Sequence, residues 1–207
     1  MADSTSGCPC RQYMDEPGIQ WREGKPDYTK VNKAYLEGRT RTHNEGSLEK
    51  IVEDLVKTWE MEAFHKTRIE DWQTVDREAF TIRANNQRSF NIKEAIEEGS
   101  YNILMQNQPL YNSEAHTFES SNNLFRSAFS EGFPWELLEV FSGPPRVAFS
   151  WRHWAHWTGP YKGRAPTGEL LELHGMAVAE VDENLKIKSI DVHYDPNQLL
   201  MKLEGKM

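Results

Sequence analysis

The chain has 207 residues, of which 38% are hydrophobic and 11% aromatic, and its 24 Lys and Arg against 32 Asp and Glu give a formal net charge of −8. This length suits one domain of ordinary size, and an acidic chain without a basic run is a poor candidate for binding nucleic acid. No stretch of about 18 apolar residues occurs, so we expect no membrane span.

Both cysteines of the chain, Cys8 and Cys10, lie in the polar segment MADSTSGCPC at the start of the sequence. The segment has no basic residues followed by an apolar run, so we expect no secretory signal peptide and a cytoplasmic location. Two cysteines in a polar tail do not make a disulfide framework. A metal or redox role for the pair is a less favoured alternative, because a tail offers no fixed surroundings for ligands.

Residues 1–46 are rich in Gly, Pro and charged side chains. We expect them to form an extended arm on the surface of a domain that spans 47–207. Within the arm, the pattern predicts one short helix over 28–37, which begins after a capping Asp27 and ends at Gly38.

The strongest helical pattern covers 47–72. Ser47 is a suitable N-cap, and apolar residues recur along one side with the helical period. Glu62 falls within this apolar stripe and His65 lies on its border. A carboxylate on a stripe that faces the core must find a partner, reach water or become protonated.

The remaining elements are shorter. Turn-forming residues such as Asn85 and Asn86 separate them, and the change from helices to a meander of long strands after Gly132 indicates an α+β fold. A curved sheet over helices leaves a ligand pocket unless large side chains fill the space. The pattern predicts a strand over 80–84, helices over 92–105 and 120–129, strands over 135–141, 146–157, 170–181 and 185–194, and a last helix over 196–203.

The run HWAHWTGPYKGRAPTGELLELHGMAVAEV, followed by DENLKIKSIDVHYDP, resembles the nuclear transport factor 2-like superfamily and, within it, the SnoaL-like polyketide cyclase branch. At a closer level the chain resembles the plant pathogen-related proteins. The matching pieces keep their chain order over about residues 40–200 and include KTWEME, HKTRI, TFESS, GPYKG and APTG. The first 25 residues and the segment 111–114 depart from the pattern.

The resemblance implies a cone-shaped α+β fold, in which N-terminal helices pack on a strongly curved, mixed and mostly antiparallel sheet. It also implies a homodimer, because relatives of this fold commonly pair through the outer face of the sheet. It does not imply one activity, since the relatives include isomerases, cyclases, dehydratases and proteins without catalysis.

A pocket carboxylate is one candidate for chemistry in such a fold. Desolvation raises its pKa, so that it can act as a general acid or base, as pocket acids do in ketosteroid isomerase, a relative of this fold. The alternative, which we favour, is that Glu62 pairs with Lys66, Arg152 or Arg126 and fixes the helix. The candidate acid–base residues are Glu62, His65, His156 and Asp191.

Side chains along the strand 146–157 alternate between two faces, and both faces carry aromatic rings. His153 belongs to one face, whereas Arg152 and His156 belong to the other, and the pattern leaves open which face lines a cavity. Packing of the rings is the favoured interpretation; polar groups within an apolar cavity are the alternative. The candidate ligand-binding residues are Trp59, Phe125, Phe149, Trp151, Arg152, His153, Trp154, His174 and His193.

Resident metals and cofactors are not expected. His153 and His156 are three apart in a strand and therefore point to opposite faces, unlike the closely spaced ligands of zinc sites. The sequence contains no phosphate-binding loop, dinucleotide fingerprint or catalytic triad motif.

The lack of these motifs ranks a non-catalytic binding protein slightly above an enzyme, and the resemblance implies a role in plant defence or specialised metabolism. Such a protein would bind an apolar, terpenoid or polyketide-like intermediate and help a biosynthetic partner, such as a haem monooxygenase, to give the right product. One alternative is a cofactor-free isomerase or cyclase that acts through a pocket Glu or His. Another is a dimeric interaction module whose interior is packed solid.

Overall fold

The computed structural model describes residues 10–206, so that Cys8 lies outside the described residues, whereas Cys10 is exposed. Two 3-10 turns, at Ile69–Asp71 and Ser113–Ala115, accompany the α-helices. Within the described range, the helices are α1 (Thr29–Gly38), α2 (Leu48–His65), α3 (Ile92–Glu98), α4 (Ser100–Leu104), α5 (Phe118–Ala128) and α6 (Asn197–Leu203). None of these helices is both long and apolar enough to cross a bilayer.

One mixed sheet carries the strands in the order β2-β1-β6-β5-β4-β3. Strand β1 runs parallel to β6, and all other neighbours are antiparallel. The predicted α+β class and mostly antiparallel mixed sheet are thus confirmed. The strands are β1 (Thr81–Ala84), β2 (Phe90–Asn91), β3 (Trp135–Val140), β4 (Arg146–His156), β5 (Leu170–Val181) and β6 (Ile187–Tyr194).

Helix α2 begins as predicted, because the Ser47 hydroxyl accepts a hydrogen bond from the Lys50 backbone N–H at 3.2 Å. The predicted end near Trp72 was wrong, since the helix stops at His65. Lys66 is extended and pairs with Trp21 of the arm in an antiparallel bridge. A backbone contact with a distant segment, which helical periodicity does not encode, therefore ends the helix.

The helix predicted over 92–105 is two helices, α3 and α4, divided at Gly99. This residue has a φ of +83°, a conformation that glycine adopts without strain. A Cβ atom there would also lie 2.5 Å from the Phe118 ring. The close approach of α5 explains both the glycine and the break.

Two other boundaries differ from the prediction by two residues. Helix α5 begins at Phe118, two residues early, because the Thr117 hydroxyl accepts a hydrogen bond from the Ser120 N–H at 3.2 Å. Strand β6 begins at Ile187 rather than at Leu185, which has a φ of +60° in the preceding turn.

The two faces of the sheet have different neighbours. Odd-numbered residues of β4 face the helical layer, and even-numbered residues face outward. On the outer face α1 packs on Trp154, whose ring centre lies 6.2 Å from that of Tyr35. Tyr35 also donates a hydrogen bond to Glu53 of α2 at 2.7 Å. These contacts attach the short helix of the arm to both layers.

Candidate functional site

An apolar chamber of about 120 Å³ lies between α2 and the odd-numbered face of the sheet. Successive turns of α2 supply one wall, and cross-strand neighbours supply the other. In β4 and β5, Val147 pairs with Ala179 and Phe149 pairs with Ala177. The small alanines opposite larger side chains leave the space open.

A second, more polar space of about 390 Å³ adjoins the chamber. We call it the vestibule. The arm covers it through residues that include Lys25, Pro26, Tyr28 and Val31, and Arg126 of α5 also lines it. Six residues line both spaces, and we call them the junction: Trp59, Glu60, Tyr101, Leu104, Phe133 and His153.

Glu60 and His153 bring two polar groups to the junction. His153 Nδ1 lies 3.2 Å from the Pro134 carbonyl oxygen, so this nitrogen carries the proton that is donated. Its Nε2 then presents a lone pair toward Glu60 Oε1, 3.7 Å away. Burial lowers the pKa of His153 to about 4, which keeps the ring neutral at pH 7. A hydroxyl placed between the two groups could donate to either of them.

Lys57 extends this polar group toward the vestibule, which it lines. Its Nζ donates a hydrogen bond to Glu60 Oε2 at 3.1 Å and lies 5.1 Å from the centre of the Trp135 ring. The residue is 3% exposed. Burial lowers its pKa to about 8, because desolvation penalises the ammonium form.

Trp59 presents an unused hydrogen-bond donor at the same place. It is 8% exposed, and its indole Nε1 has no hydrogen-bond partner among residues 10–206. A buried donor without an acceptor costs about 1–3 kcal/mol. An oxygen atom of a bound molecule would remove that cost.

The structure brings some of the predicted ligand-binding and acid–base residues to the chamber and the vestibule. Trp59, Phe149, Trp151 and His153 all line the chamber. His65 lines the vestibule, where burial lowers its pKa to about 4.

Glu62 lies elsewhere, fully buried. Its carboxylate accepts hydrogen bonds from Lys66 Nζ at 3.0 Å and from the backbone N–H groups of Gln73 and Thr74 at 2.7 and 3.0 Å. Glu62 and Glu60 are two residues apart on the helix, about 200° around its axis. Glu60, and not Glu62, therefore faces the chamber. Glu62 thus pairs with Lys66, which is one of the three structural partners that the sequence analysis proposed.

The even-numbered residues of β4 lie on the outer face. Arg152 donates to Glu136 at 2.8 Å and also pairs with Glu172. His156 is exposed, with Nδ1 3.0 Å from the Gly168 carbonyl oxygen. Strand parity thus places the candidate residues Arg152, Trp154 and His156 away from the chamber.

Three further candidates share the outer face, and one lies behind the chamber wall. His174 is exposed and sits opposite Arg152 in the register. Asp191 pairs with Arg83 and lies 3.2 Å from His193 Nε2. Phe125 is buried and stacks on Tyr101, with 4.5 Å between ring centres. Within residues 10–206, no three His, Cys, Asp or Glu side chains are grouped to hold a metal ion.

Sequence reasoning missed Lys57 and Glu60. The sequence did indicate the position of Glu60, because Val52, Val56 and Glu60 recur at four-residue spacing and so share a helix face. The carboxylate at the end of this apolar row faces the chamber. Lys57 gave no comparable signal, since its burial depends on Trp135 and on the arm.

Several known proteins are similar to this chain in fold or in sequence. No family model matches the chain. Among solved structures, a candidate polyketide cyclase from Acidithiobacillus ferrooxidans has a TM-score of 0.47 at 14% identity, over 80% of this chain and 100% of that one. A candidate SnoaL-like polyketide cyclase from Jannaschia sp. CCS1 has a TM-score of 0.44 at 11% identity, over 79% and 98%.

The helices and the mixed sheet define an α+β protein with an apolar chamber between its two layers. The chain is also 38% identical over 188 residues to the pathogen-related protein of Hordeum vulgare, with 87% of this chain and 80% of the relative covered. The chain belongs to the family of plant pathogen-related proteins.

Proposed function

We propose that the protein binds one apolar small molecule that carries a hydrogen-bond acceptor. The apolar part occupies the chamber, and the acceptor lies at the junction. The unpaired indole N–H of Trp59 carries this proposal, because it is a buried donor at the wall of both spaces. Glu60 and His153 offer acceptors for a hydroxyl on the same molecule.

The two volumes set the size of this molecule. An apolar cavity of about 150 Å³ in another protein holds benzene, so the chamber of about 120 Å³ suits a group no larger than one ring. Most ligand sites measure about 300–1,000 Å³. A terpenoid or polyketide-like intermediate would therefore extend through the junction into the vestibule of about 390 Å³.

We propose binding without turnover as the role of this site in plant defence or specialised metabolism. The protein would hold an intermediate for a biosynthetic partner, such as a haem monooxygenase, and would act as a homodimer in the cytoplasm. The name of the barley relative supports the link to pathogens.

The test uses benzyl alcohol and toluene, which share a ring and differ in the oxygen. Titration calorimetry of Trp59→Phe should show about fivefold to tenfold weaker binding of benzyl alcohol, because one hydrogen bond to the ligand is lost. The binding of toluene should be unchanged. Trp157→Phe is the control, because the Trp157 N–H already donates to Gly159 at 2.7 Å. Equal loss for both probes in Trp59→Phe, or no saturable binding of benzyl alcohol, would overturn the proposal.

A second candidate is a cofactor-free isomerase or cyclase. The observation that favours it is the position of the unprotonated Nε2 of His153, which lies at the junction 3.7 Å from Glu60 Oε1. Exchange of the protons next to the carbonyl of a bound ketone, measured by NMR in deuterated water, should then be faster with the protein than without it. His153→Phe should abolish that acceleration, and exchange at the uncatalysed rate in the unmodified protein would rule the activity out.

A further inference from the structure

Lys57 is a buried amine beside the cavity, a place where few lysines lie. It lines the vestibule, and its Nζ reaches Glu60 across 3.1 Å. The centre of the Trp135 ring lies 5.1 Å from the same Nζ atom. The amine therefore adjoins both an aromatic ring and a carboxylate.

The charged and titratable groups around Lys57 come from three parts of the chain. Glu53 and Glu60 belong to α2, Arg11 to the arm and His153 to β4. Desolvation outweighs the attraction of the two carboxylates and lowers the pKa of Lys57 to about 8. The Lys57 amine is then uncharged in about a tenth of the molecules at pH 7. This uncharged fraction is on the order of a hundred times that of an exposed lysine. A desolvated lysine in a pocket is a nucleophile for carbonyl compounds.

We infer that Lys57 forms a reversible imine with an aldehyde or ketone bound at the junction, an inference that rests on the proposed binding function. The chemical class of ligand is thereby narrowed to small apolar carbonyl compounds.

The reaction balances without an oxidant or a reductant. The Lys57 nitrogen adds to the carbonyl carbon, and the carbonyl oxygen becomes a hydroxyl as it gains a proton. The hydroxyl leaves as one molecule of water when the second proton of the amine is removed, which gives a carbon–nitrogen double bond. Glu60 is in hydrogen-bond contact with Nζ and can take and return these protons.

Another buried lysine supplies an internal comparison. Lys66 is 1% exposed, but it donates to Glu62 at 3.0 Å and to the Asp71 carbonyl oxygen at 2.9 Å. It lies at the end of α2, with the buried Glu62. We expect no imine at Lys66.

The experiment exposes the full chain to benzaldehyde with cyanoborohydride, which reduces an imine to a stable benzylamine. Peptide mass mapping should locate one benzyl group on Lys57 ahead of every other lysine, and the labelling rate should rise between pH 7 and pH 9. Lys57→Arg keeps a cation and removes the amine, so labelling of the protein should fall to the slow rate of exposed lysines. Fast labelling of other lysines with Lys57 unmodified would overturn the inference.

Benzyl alcohol distinguishes failure of the imine from failure of ligand binding, because it has the same ring as benzaldehyde and cannot form an imine. If it binds saturably and Lys57 stays unlabelled by benzaldehyde, the imine is refuted and the binding function stands. If neither compound binds, both proposals are refuted. Saturable benzyl alcohol binding by Lys57→Arg would show that its cavity is intact, so that loss of label reports the missing amine.

Discussion

Lys66 and Glu62 form an ion pair inside the protein, with 3.0 Å between Nζ and Oε1 and side-chain exposures of 1% and 0%. The pair joins the last turn of α2 to the segment that follows it, since Glu62 also accepts from the Gln73 and Thr74 N–H groups. A charge with this many partners is fixed in place, which suits a structural role.

Removal of one partner should therefore be costly. We expect Lys66→Met to lower the free energy of unfolding by about 3–5 kcal/mol, because Glu62 remains as a buried carboxylate without its cation. Urea denaturation measures the loss. Lys33→Met, at an exposed pair with Glu37, is the control and should change stability by less than about 1 kcal/mol. A loss of the same small size in Lys66→Met would contradict the structural role.

Filling the chamber should abolish binding without unfolding the protein. Ala177 lines the chamber opposite Phe149, and Ala177→Leu places three more carbon atoms in the space. We expect benzyl alcohol affinity to fall at least tenfold while the melting temperature changes little, because the added atoms occupy an existing cavity. Ala148→Leu, on the other face of the sheet, should leave binding unchanged. Undiminished affinity in Ala177→Leu would show that the ligand binds elsewhere.

Acid should weaken the fold through the buried histidines. Burial lowers the pKa of His153 from its ordinary value near 6.5 to about 4. Its contribution is therefore fully present above pH 6.5 and is lost as the pH falls from 6.5 toward 4, by up to about 3 kcal/mol. His65 has the same direction of shift and acts in the same window.

The prediction for His153 is tested with a matched pair of variants. His153→Phe should reduce the slope of unfolding free energy against pH between 6.5 and 4, as measured by urea titrations at several pH values. His174→Gln removes an exposed imidazole and serves as the control. Identical slopes for His153→Phe and the unmodified protein would refute the assignment of this histidine.

The arm should control how fast a long ligand leaves. Tyr28 lines the vestibule, where Arg11 stacks on its ring at 3.9 Å and His65 meets its edge. We expect Tyr28→Ala to raise the dissociation rate of a two-ring ketone such as benzophenone severalfold, because the vestibule would open to water. Stopped-flow fluorescence measures this rate. The arm also contains Tyr13, which lies at a different surface groove, and Tyr13→Ala should leave the rate unchanged.

The sequence by itself determined the class of the fold and most of its elements. Periodicity, capping residues and turn residues are local signals, and Ser47 begins α2 as predicted. The alternation along β4 also divided its side chains correctly into two faces, because strand parity is a property of the chain alone.

Only the tertiary structure decided which of those faces lines the chamber, where α2 ends and that Lys57 is buried. The end of α2 depends on pairing between Lys66 and Trp21, residues 45 positions apart in the printed sequence. Burial of Lys57 depends likewise on Trp135 of a distant strand. Desolvation and pairing arise from such distant contacts, which a local sequence pattern does not contain.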